Sequence, residues 1–229
     1  MVTLKRGCYI TALLVTLVLF IPVAVFAQDV IAYIGEVGGT VTVVKANPGE
    51  EVEAQLGMLL MGGDTVKTAT ASYSSIIFQD DGSRVKLGEN SQLTLNAERD
   101  QKNLKKRMFL DSGGKLWAKV SKKKGTDFQV KTPTSVASVK GTKFILEAGD
   151  SDAWLWVLEE NVLFESGGQS SNVGAGQYAH GTEEGIETGD IQDGDVPIEP
   201  GTHEIIIFFD QENRGTALQK ELRIEFEKE

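Results

Sequence analysis

Ile76-Ile77-Phe78-Gln79-Asp80-Asp81-Gly82-Ser83-Arg84-Val85-Lys86-Leu87 is the stretch that decides the fold class, because two apolar runs flank a turn signal. Gly82 directly follows Asp81 and supplies the positive backbone angle that a tight hairpin turn needs. Residues 83–87 alternate between polar and apolar side chains, so one face of that strand can be buried while the other meets water. The stretch therefore predicts a β-hairpin that pairs residues 76–78 with residues 85–87.

The same pattern continues over residues 28–180. Short runs rich in Val, Ile, Thr, Phe and Trp are separated by turn residues at intervals of roughly 8 to 12 residues, which is typical of many short strands. No window of helical length carries an apolar stripe with a helical period, except weakly at residues 53–61, which suit one helical turn or a loop. The sequence predicts an all-β domain over residues 28–180, with its strands stacked in a solenoid-like or sandwich-like arrangement.

The N-terminal segment has the pattern of a secretory signal. Lys5 and Arg6 precede an uncharged apolar run over residues 8–27, and polar residues follow Ala27. This pattern predicts a signal peptide over residues 1–27, cleaved after Ala27, and hence a periplasmic or cell-surface protein with no membrane span once the signal is removed. The alternative is an uncleaved anchor, because the run is long enough to cross a bilayer.

Charge is unevenly distributed along the chain, whose formal net charge is −10. Residues 181–229 hold 14 acidic and 4 basic side chains. Residues 181–202 contain few large apolar side chains, which predicts an acidic Gly/Pro linker. Residues 203–229 predict a β-hairpin, and because an isolated hairpin is marginally stable in water, it should dock on the main domain or on another chain.

Ten basic side chains are concentrated in residues 99–124, a segment we call the basic stripe. Such a stripe can attract anionic lipid, glycan, nucleic acid, an acidic protein surface or the acidic tail of the same chain. Export argues against nucleic acid, and solvated strand faces are the alternative explanation. We take Lys105, Lys106 and Arg107 as candidate binding residues. The stripe comprises Arg99, Lys102, Lys105, Lys106, Arg107, Lys115, Lys119, Lys122, Lys123 and Lys124.

Four segments together resemble a known family. TPTSVASVKGTKF at residues 132–144 resembles the core motif of the FecR domain, the extracytoplasmic part of ferric-citrate-type regulators. GGDTVKT at 62–68, DGSRVKLGENSQLTL at 81–95 and NVGAGQYA at 172–179 resemble its other elements, in the family's order. The matching motif residues, which we expect to shape the backbone, are Gly63, Asp64, Asp81, Gly82, Ser83, Ser91, Thr132, Pro133, Lys140, Gly141, Thr142, Phe144 and Gly176.

The resemblance implies a non-catalytic module that senses a signal or binds a protein partner in the cell envelope. Lys140 stands where the family usually has Arg, which keeps the charge but loses the planar fork that holds a carboxylate at two points. The link to iron comes only with the resemblance. We therefore expect an envelope protein-interaction or sensing module that needs no cofactor.

Catalytic and metal sites are not predicted. Beyond the signal peptide the imidazoles are His180 and His203, both in polar surroundings that suggest exposed side chains rather than a catalytic triad. The carboxylates of residues 190–199 do not have the spacing of a calcium-binding loop. The glycines of residues 174–176 lack the Lys-Ser/Thr pair of a phosphate loop, and we expect a turn there.

Three tryptophans carry the alternative function, that of a surface glycan or cell-wall binding module. Trp154 and Trp156 alternate with Leu155, so both should share one strand face, where they could stack on sugar rings with the help of Trp117. Packing in a core or an interface is the commoner fate of such residues. A hydrolytic enzyme would additionally need a pair of acidic residues that no motif reveals.

Overall fold

The computed structural model describes residues 29–100, 103–122, 127–192 and 194–201. These ranges contain nineteen strands and no α-helix, which confirms the all-β prediction. Within them, no helix is long and apolar enough to cross a membrane. The predicted signal peptide and the predicted hairpin over residues 203–229 lie outside the described residues.

The strands follow one another closely along the chain. They are β1 (Val30–Gly38), β2 (Val41–Val44), β3 (Glu51–Glu53), β4 (Leu59–Met61), β5 (Thr65–Thr68), β6 (Tyr73–Phe78), β7 (Arg84–Leu87), β8 (Gln92–Leu95), β9 (Glu98–Asp100), β10 (Asn103–Leu110), β11 (Lys115–Lys119), β12 (Asp127–Lys131), β13 (Ser135–Val139), β14 (Lys143–Ala148), β15 (Asp152–Glu159), β16 (Asn161–Ser166), β17 (Gln169–Gly174), β18 (Gln177–Thr182) and β19 (Gly185–Asp190).

These strands form two large sheets. Sheet 1 has nine strands in the order β19-β18-β15-β14-β11-β7-β6-β1-β4. Sheet 2 has ten, of which nine follow the order β17-β16-β13-β12-β10-β8-β5-β2-β3, while β9 pairs with β10. Neighbouring strands are antiparallel except β10 and β12, which run parallel because the strand between them in the chain, β11, belongs to sheet 1.

The inner faces of the two sheets share one hydrophobic core. Alternation along each strand produces it: in β16, Val162 and Phe164 are buried, whereas Leu163 and Glu165 point outward. At the centre, the ring of Phe128 from sheet 2 lies edge-on to Phe78 and Phe144 from sheet 1, with centroids 6.1 and 6.4 Å away. Edge-to-face packing of this kind is a favourable arrangement for aromatic rings.

The predicted central hairpin is present. Strands β6 and β7 pair antiparallel, with Ile76 opposite Val85. Gly82 has a φ of +71°, and the Asp81 carboxylate accepts a hydrogen bond from the Ser83 amide at 2.8 Å. Residues 53–61, in contrast, form no helix, because β3 ends at Glu53 and the chain turns before it enters β4.

The structure differs from the linker predicted over residues 181–202. Strand β18 continues to Thr182, and β19 pairs with it along its whole length. Composition did not reveal β19 because its stability comes from the backbone hydrogen bonds of the ladder and from Ile186, which packs against the core. The sheet therefore extends beyond the predicted boundary at residue 180.

Candidate functional site

A row of side chains crosses the outer face of sheet 1. Lys86, Trp117, Ile145, Trp156 and Tyr178 lie directly opposite one another on five neighbouring strands, and we call this set the aromatic row. Trp117, Ile145 and Trp156 form a second hydrophobic cluster, separate from the main core. An apolar cluster on the outer face of a sheet needs a cover, because exposed aromatic surface is unfavourable in water.

The cover is the segment that follows β19, residues 191–201, which we call the strap. Ile191 and Val196 pack against the aromatic row. The indole Nε1 of Trp117 donates a hydrogen bond to the carbonyl oxygen of Pro197 at 3.2 Å. The strap thus closes over the apolar part of the row.

The far end of the strap is fixed by charge and by an aromatic ring. A Glu199 carboxylate oxygen lies 3.6 Å from Lys86 Nζ. Gly201 lies so close to the ring of Tyr73 that a Cβ atom there would meet ring carbons at 2.5 Å. The strap therefore runs across sheet 1 from β19 to β6, and its described residues are packed along the sheet, unlike the predicted linker.

The third tryptophan belongs to a polar cluster beside the strap. The Trp154 ring stacks on His180 with centroids 4.0 Å apart and lies 6.0 Å from Trp156. His180 Nε2 is 2.9 Å from an Asp152 carboxylate oxygen, which also accepts a hydrogen bond from Trp154 Nε1 at 3.2 Å. His180 is therefore not the freely exposed histidine that the sequence suggested.

The predicted tryptophans lie on one outer face of the sheet, but other residues of the chain already cover their rings. Trp117 and Trp156 are each only 8% exposed beneath the strap. One face of Trp154 is taken by His180. A sugar ring needs an open aromatic face for stacking, so this arrangement does not favour a glycan site.

Lys106, a member of the predicted basic stripe, does not lie on the surface. Its side chain is fully buried, because the alternation of β10 turns it inward between the sheets. Lys106 Nζ lies 2.5 Å from an Asp81 carboxylate oxygen and 3.0 Å from Asp80. Lys106 therefore cannot contact a partner at the surface, and its role is structural.

The electrostatics of Asp81 follow from this pairing. Burial alone would raise the pKa of the Asp81 carboxyl group, but the hydrogen bonds from Lys106 and Ser83 and the charge of Lys106 outweigh it. The pKa is therefore lowered from its ordinary value of 3.8. A lowered pKa means that the folded protein favours the charged carboxylate.

The other basic residues of the stripe are distributed over several surfaces. Lys105 and Arg107 lie on the outer side of β10, the first half-buried and the second exposed. Lys115 pairs with Glu147 at 2.6 Å, and Lys122 pairs with Glu160 at 2.5 Å. Lys119 is exposed at the end of β11. The side chain of Arg99, and Lys102, Lys123 and Lys124, lie outside the described part of the chain.

The polar motif residues form hydrogen bonds with backbone groups. Asp64 is buried and accepts hydrogen bonds from the amides of Ala46 and Met61 at 2.9 and 3.1 Å. Ser83 Oγ and Ser91 Oγ accept from the amides of Ser121 and Lys115, Thr132 Oγ1 accepts from the amide of Ser135, and Thr142 donates to the carbonyl oxygen of Glu159.

The remaining motif residues shape turns or fill the core. Gly63, Gly141 and Gly176 have φ values of +91°, +135° and +80°, a region that side chains rarely adopt. Phe144 is fully buried, whereas Pro133 and Lys140 are exposed. The motif residues therefore do not converge on one site; they hold the scaffold.

One open pocket of about 440 Å³ lies on sheet 2, between the β12–β13 and β16–β17 turns. Its walls include residues 132–136 and 165–170, with Phe109 and Lys131 beside them. Two of the wall hydroxyls are already engaged: Ser135 Oγ and Ser166 Oγ bond each other at 3.0 Å, and Ser166 Oγ donates to the Thr182 carbonyl oxygen at 2.9 Å. The turn glycines at 167 and 168 are the one sequence signal that points to this pocket.

No catalytic arrangement emerges from the residues that the structure describes. Their His, Asp and Glu side chains include no group of three placed to hold a metal ion. The imidazole of His180 pairs with Asp152 and stacks on Trp154, with no serine or cysteine in that cluster. The geometry is that of a packed surface with a covered aromatic row.

Comparison with known proteins gives one family match. Residues 64–163 match the model of the family described as "FecR protein". No curated protein matches the chain.

Two solved structures are similar, both described as "a putative anti-sigma factor" from Parabacteroides distasonis, at 1.65 and 2.50 Å resolution. Each is 15% identical and gives a TM-score of 0.48. The alignment covers 55% of this chain and 59% of the other chain, so this protein spans less than two thirds of those structures.

Proposed function

We propose that the protein is an exported envelope module that binds a protein partner, because residues 64–163 match the FecR family, whose members are regulatory and non-enzymatic. The family match supports the coarser statement, a non-catalytic role in sensing or signalling. Features of this chain support the remaining part of the proposal, which is that the protein lies in the cell envelope and binds a protein partner.

The strap is the observation that carries the proposal. It holds Gly201 against Tyr73, so the C-terminal end of the described chain lies at a defined position beside β6. Residues 205–209, Ile-Ile-Ile-Phe-Phe, are uninterruptedly apolar. A β-strand of this composition suits addition to an open sheet edge of another protein, where main-chain hydrogen bonds give affinity and side-chain pockets give specificity.

Glycan binding, the alternative function, has weaker support. The strap covers two of the three tryptophans, and His180 stacks on the third. Export is supported by the charge and hydropathy pattern of residues 1–27.

The proposal is tested by capturing partners from the envelope fraction of cells that produce the protein. The full chain is compared with a variant that ends at Gly201 and with an Ile206→Asp/Phe208→Asp variant, which disrupts one face of the predicted strand. Gln211→Ala, in the predicted turn, is the matched control. We expect one protein to be recovered with the full chain and with Gln211→Ala but not with the other two variants. Equal recovery with the variant ending at Gly201, or no recovery with any of them, would refute the proposal.

Export is tested separately. N-terminal sequencing of the protein from the envelope should find Gln28 as the first residue if the signal is cleaved. Recovery of all the protein in the cytosol, with Met1 retained, would refute export.

A further inference from the structure

Three cations lie directly opposite one another on the outer face of sheet 1. Lys119 on β11 is opposite Arg84 on β7 and opposite Lys143 on β14. Like charges at directly opposed strand positions destabilise a sheet. The arrangement therefore has a stability cost, which an anionic ligand above the row would remove.

Two more cations extend this row into a surface that we call the basic corner: Arg84, Lys119, Lys122, Lys140 and Lys143. Lys122 lies against Gly141, where a Cβ atom would meet its side chain, and this contact places it beside the exposed Lys140. The corner is a concentrated positive surface on a chain with a net charge of −10. Such separation of charge is a signature of a surface for an anionic ligand.

Neighbouring acids neutralise only part of the basic corner. Arg84 is 3.9 Å from a Glu36 oxygen, and Lys122 pairs with Glu160. Glu159 on β15 lies opposite Lys143, but among the described residues no hydrogen bond or ion pair engages Lys119 or Lys143. At least two cations are thus available to a ligand without breaking an existing pair.

The position of the corner indicates which ligand. Tyr33 of β1 belongs to the same cross-strand row, because it is opposite Ile77, which is opposite Arg84. Strand β1 begins only three residues earlier, at Val30, and the Gln79 amide bonds the Ile31 carbonyl oxygen at 3.1 Å. The chain therefore enters the domain beside the basic corner, directly after the apolar run of residues 8–27.

We propose that the basic corner docks on the headgroups of anionic phospholipids at the membrane surface. A membrane that holds or has just released residues 8–27 lies next to this corner. Juxtamembrane Lys and Arg residues are attracted to anionic lipid surfaces, and the attraction is lost within a Debye length. This inference goes beyond the proposed function, because it concerns lipid and requires no protein partner.

The acidic tail of the same chain is the rival occupant, and the geometry argues against it. The strap lies along the aromatic row and ends at Tyr73. Tyr73 and Ile77 lie on opposite sides of Ser75 along β6, and it is Ile77 that faces Arg84. The strap therefore ends on the side of β6 away from the basic corner.

The test is flotation with lipid vesicles, using the chain from Gln28 onward. All described strands and core residues lie within residues 29–201, so this form keeps the described fold. Vesicles of phosphatidylcholine mixed with phosphatidylglycerol are compared with phosphatidylcholine alone. The variant Arg84→Gln/Lys119→Gln/Lys143→Gln is matched in charge by the control Lys67→Gln/Lys115→Gln/Lys131→Gln, which changes lysines away from the corner.

We expect binding to the anionic vesicles only, weakened on the order of 100-fold by the corner variant and much less by the control. Equal weakening by both variants would overturn the proposal, as would equal binding to both kinds of vesicle. If the corner variant fails to fold, the salt dependence of vesicle binding by the unmodified protein is the test. Binding that does not weaken as the salt concentration is raised contradicts a headgroup contact.

Two further measurements distinguish lipid headgroups from free phosphate and from the acidic tail as the anion at the basic corner. If inorganic phosphate at millimolar concentration displaces the protein from vesicles, the corner is a phosphate site and not a lipid surface, and the proposal fails. If the protein binds anionic vesicles only after residues 202–229 are removed, the acidic tail occupies the corner, and the proposal fails as well.

Discussion

Lys106 illustrates how a single buried charge can organise two sheets. It comes from β10 in sheet 2, and its ammonium group pairs with Asp80 and Asp81 in the β6–β7 turn of sheet 1. The same ammonium group lies 5.2 Å from the centroid of the Phe78 ring. Removing one partner of a buried pair leaves the others uncompensated, which costs more than the pair itself contributes.

Lys106→Ala should therefore lower the free energy of unfolding by about 3–5 kcal/mol, since it leaves Asp81 buried without its cation. Lys105→Ala, on the outward side of the same strand, is the control and should cost at most about 1 kcal/mol. Urea unfolding of the two variants measures both values. Similar losses in both would show that the buried pair has no special role.

The lowered pKa of Asp81 predicts a pH dependence. A carboxyl group whose pKa is lower in the folded than in the unfolded protein contributes stability above its unfolded value, near 3.8, and loses it as the pH falls through the folded value. Asp81→Asn should therefore be clearly less stable than the unmodified protein at neutral pH. The difference in stability between the two proteins should become smaller below about pH 4. Thermal unfolding from neutral to acidic pH tests this, with the exposed Glu183→Gln as control. A gap that does not change with pH would contradict the assignment.

Among the elements, the strap is the one whose packing is most easily tested. Val196→Asp places a carboxylate over the aromatic row and should release the strap. We expect a loss of about 1–3 kcal/mol in the free energy of unfolding and a red shift of tryptophan fluorescence, because Trp117 and Trp156 become hydrated.

Ile198→Asp is the matched control for this variant. Ile198 belongs to the same strap but is 82% exposed, so its substitution should change neither quantity appreciably. If both variants behave alike, the strap is not held by the aromatic row.

How much could be predicted from the sequence differs from one element to the next. The β6–β7 hairpin was predictable, because its turn signal and its alternation are both local. The inward position of Lys106 had a local signal too, since it is two residues from the buried Leu104 and Met108 and so shares their strand face, but its charge suggested the surface. Strand β19 and the strap were not predictable from composition, because they depend on a ladder partner and an aromatic row that are distant in the sequence.

At the scale of the whole molecule, the two sheets share one core, so we expect them to unfold together. A chain that ends at His180, the predicted domain boundary, lacks β19 and the strap. It should unfold at a lower urea concentration than a chain that ends at Gly201, because the aromatic row and the outer edge of β18 are then uncovered. Circular dichroism and tryptophan fluorescence during urea unfolding test this. Coincident unfolding curves for the two chains would show that residues 181–201 add nothing to the fold.

The path of the strap also determines how the molecule would respond to a pulling force. Tension applied between β1 and the C-terminal segment would act first on the strap, which is held by a few side-chain contacts and a backbone hydrogen bond at Ile191, but by no strand ladder. Its eleven residues, 191–201, can span at most about 40 Å when fully extended, and no β-strand has to separate to reach that length. The strap would therefore detach before the sheets do. A tethered partner that pulls on the chain would expose the tryptophans and leave both sheets intact. Single-molecule stretching would record this event as a small first extension before global unfolding.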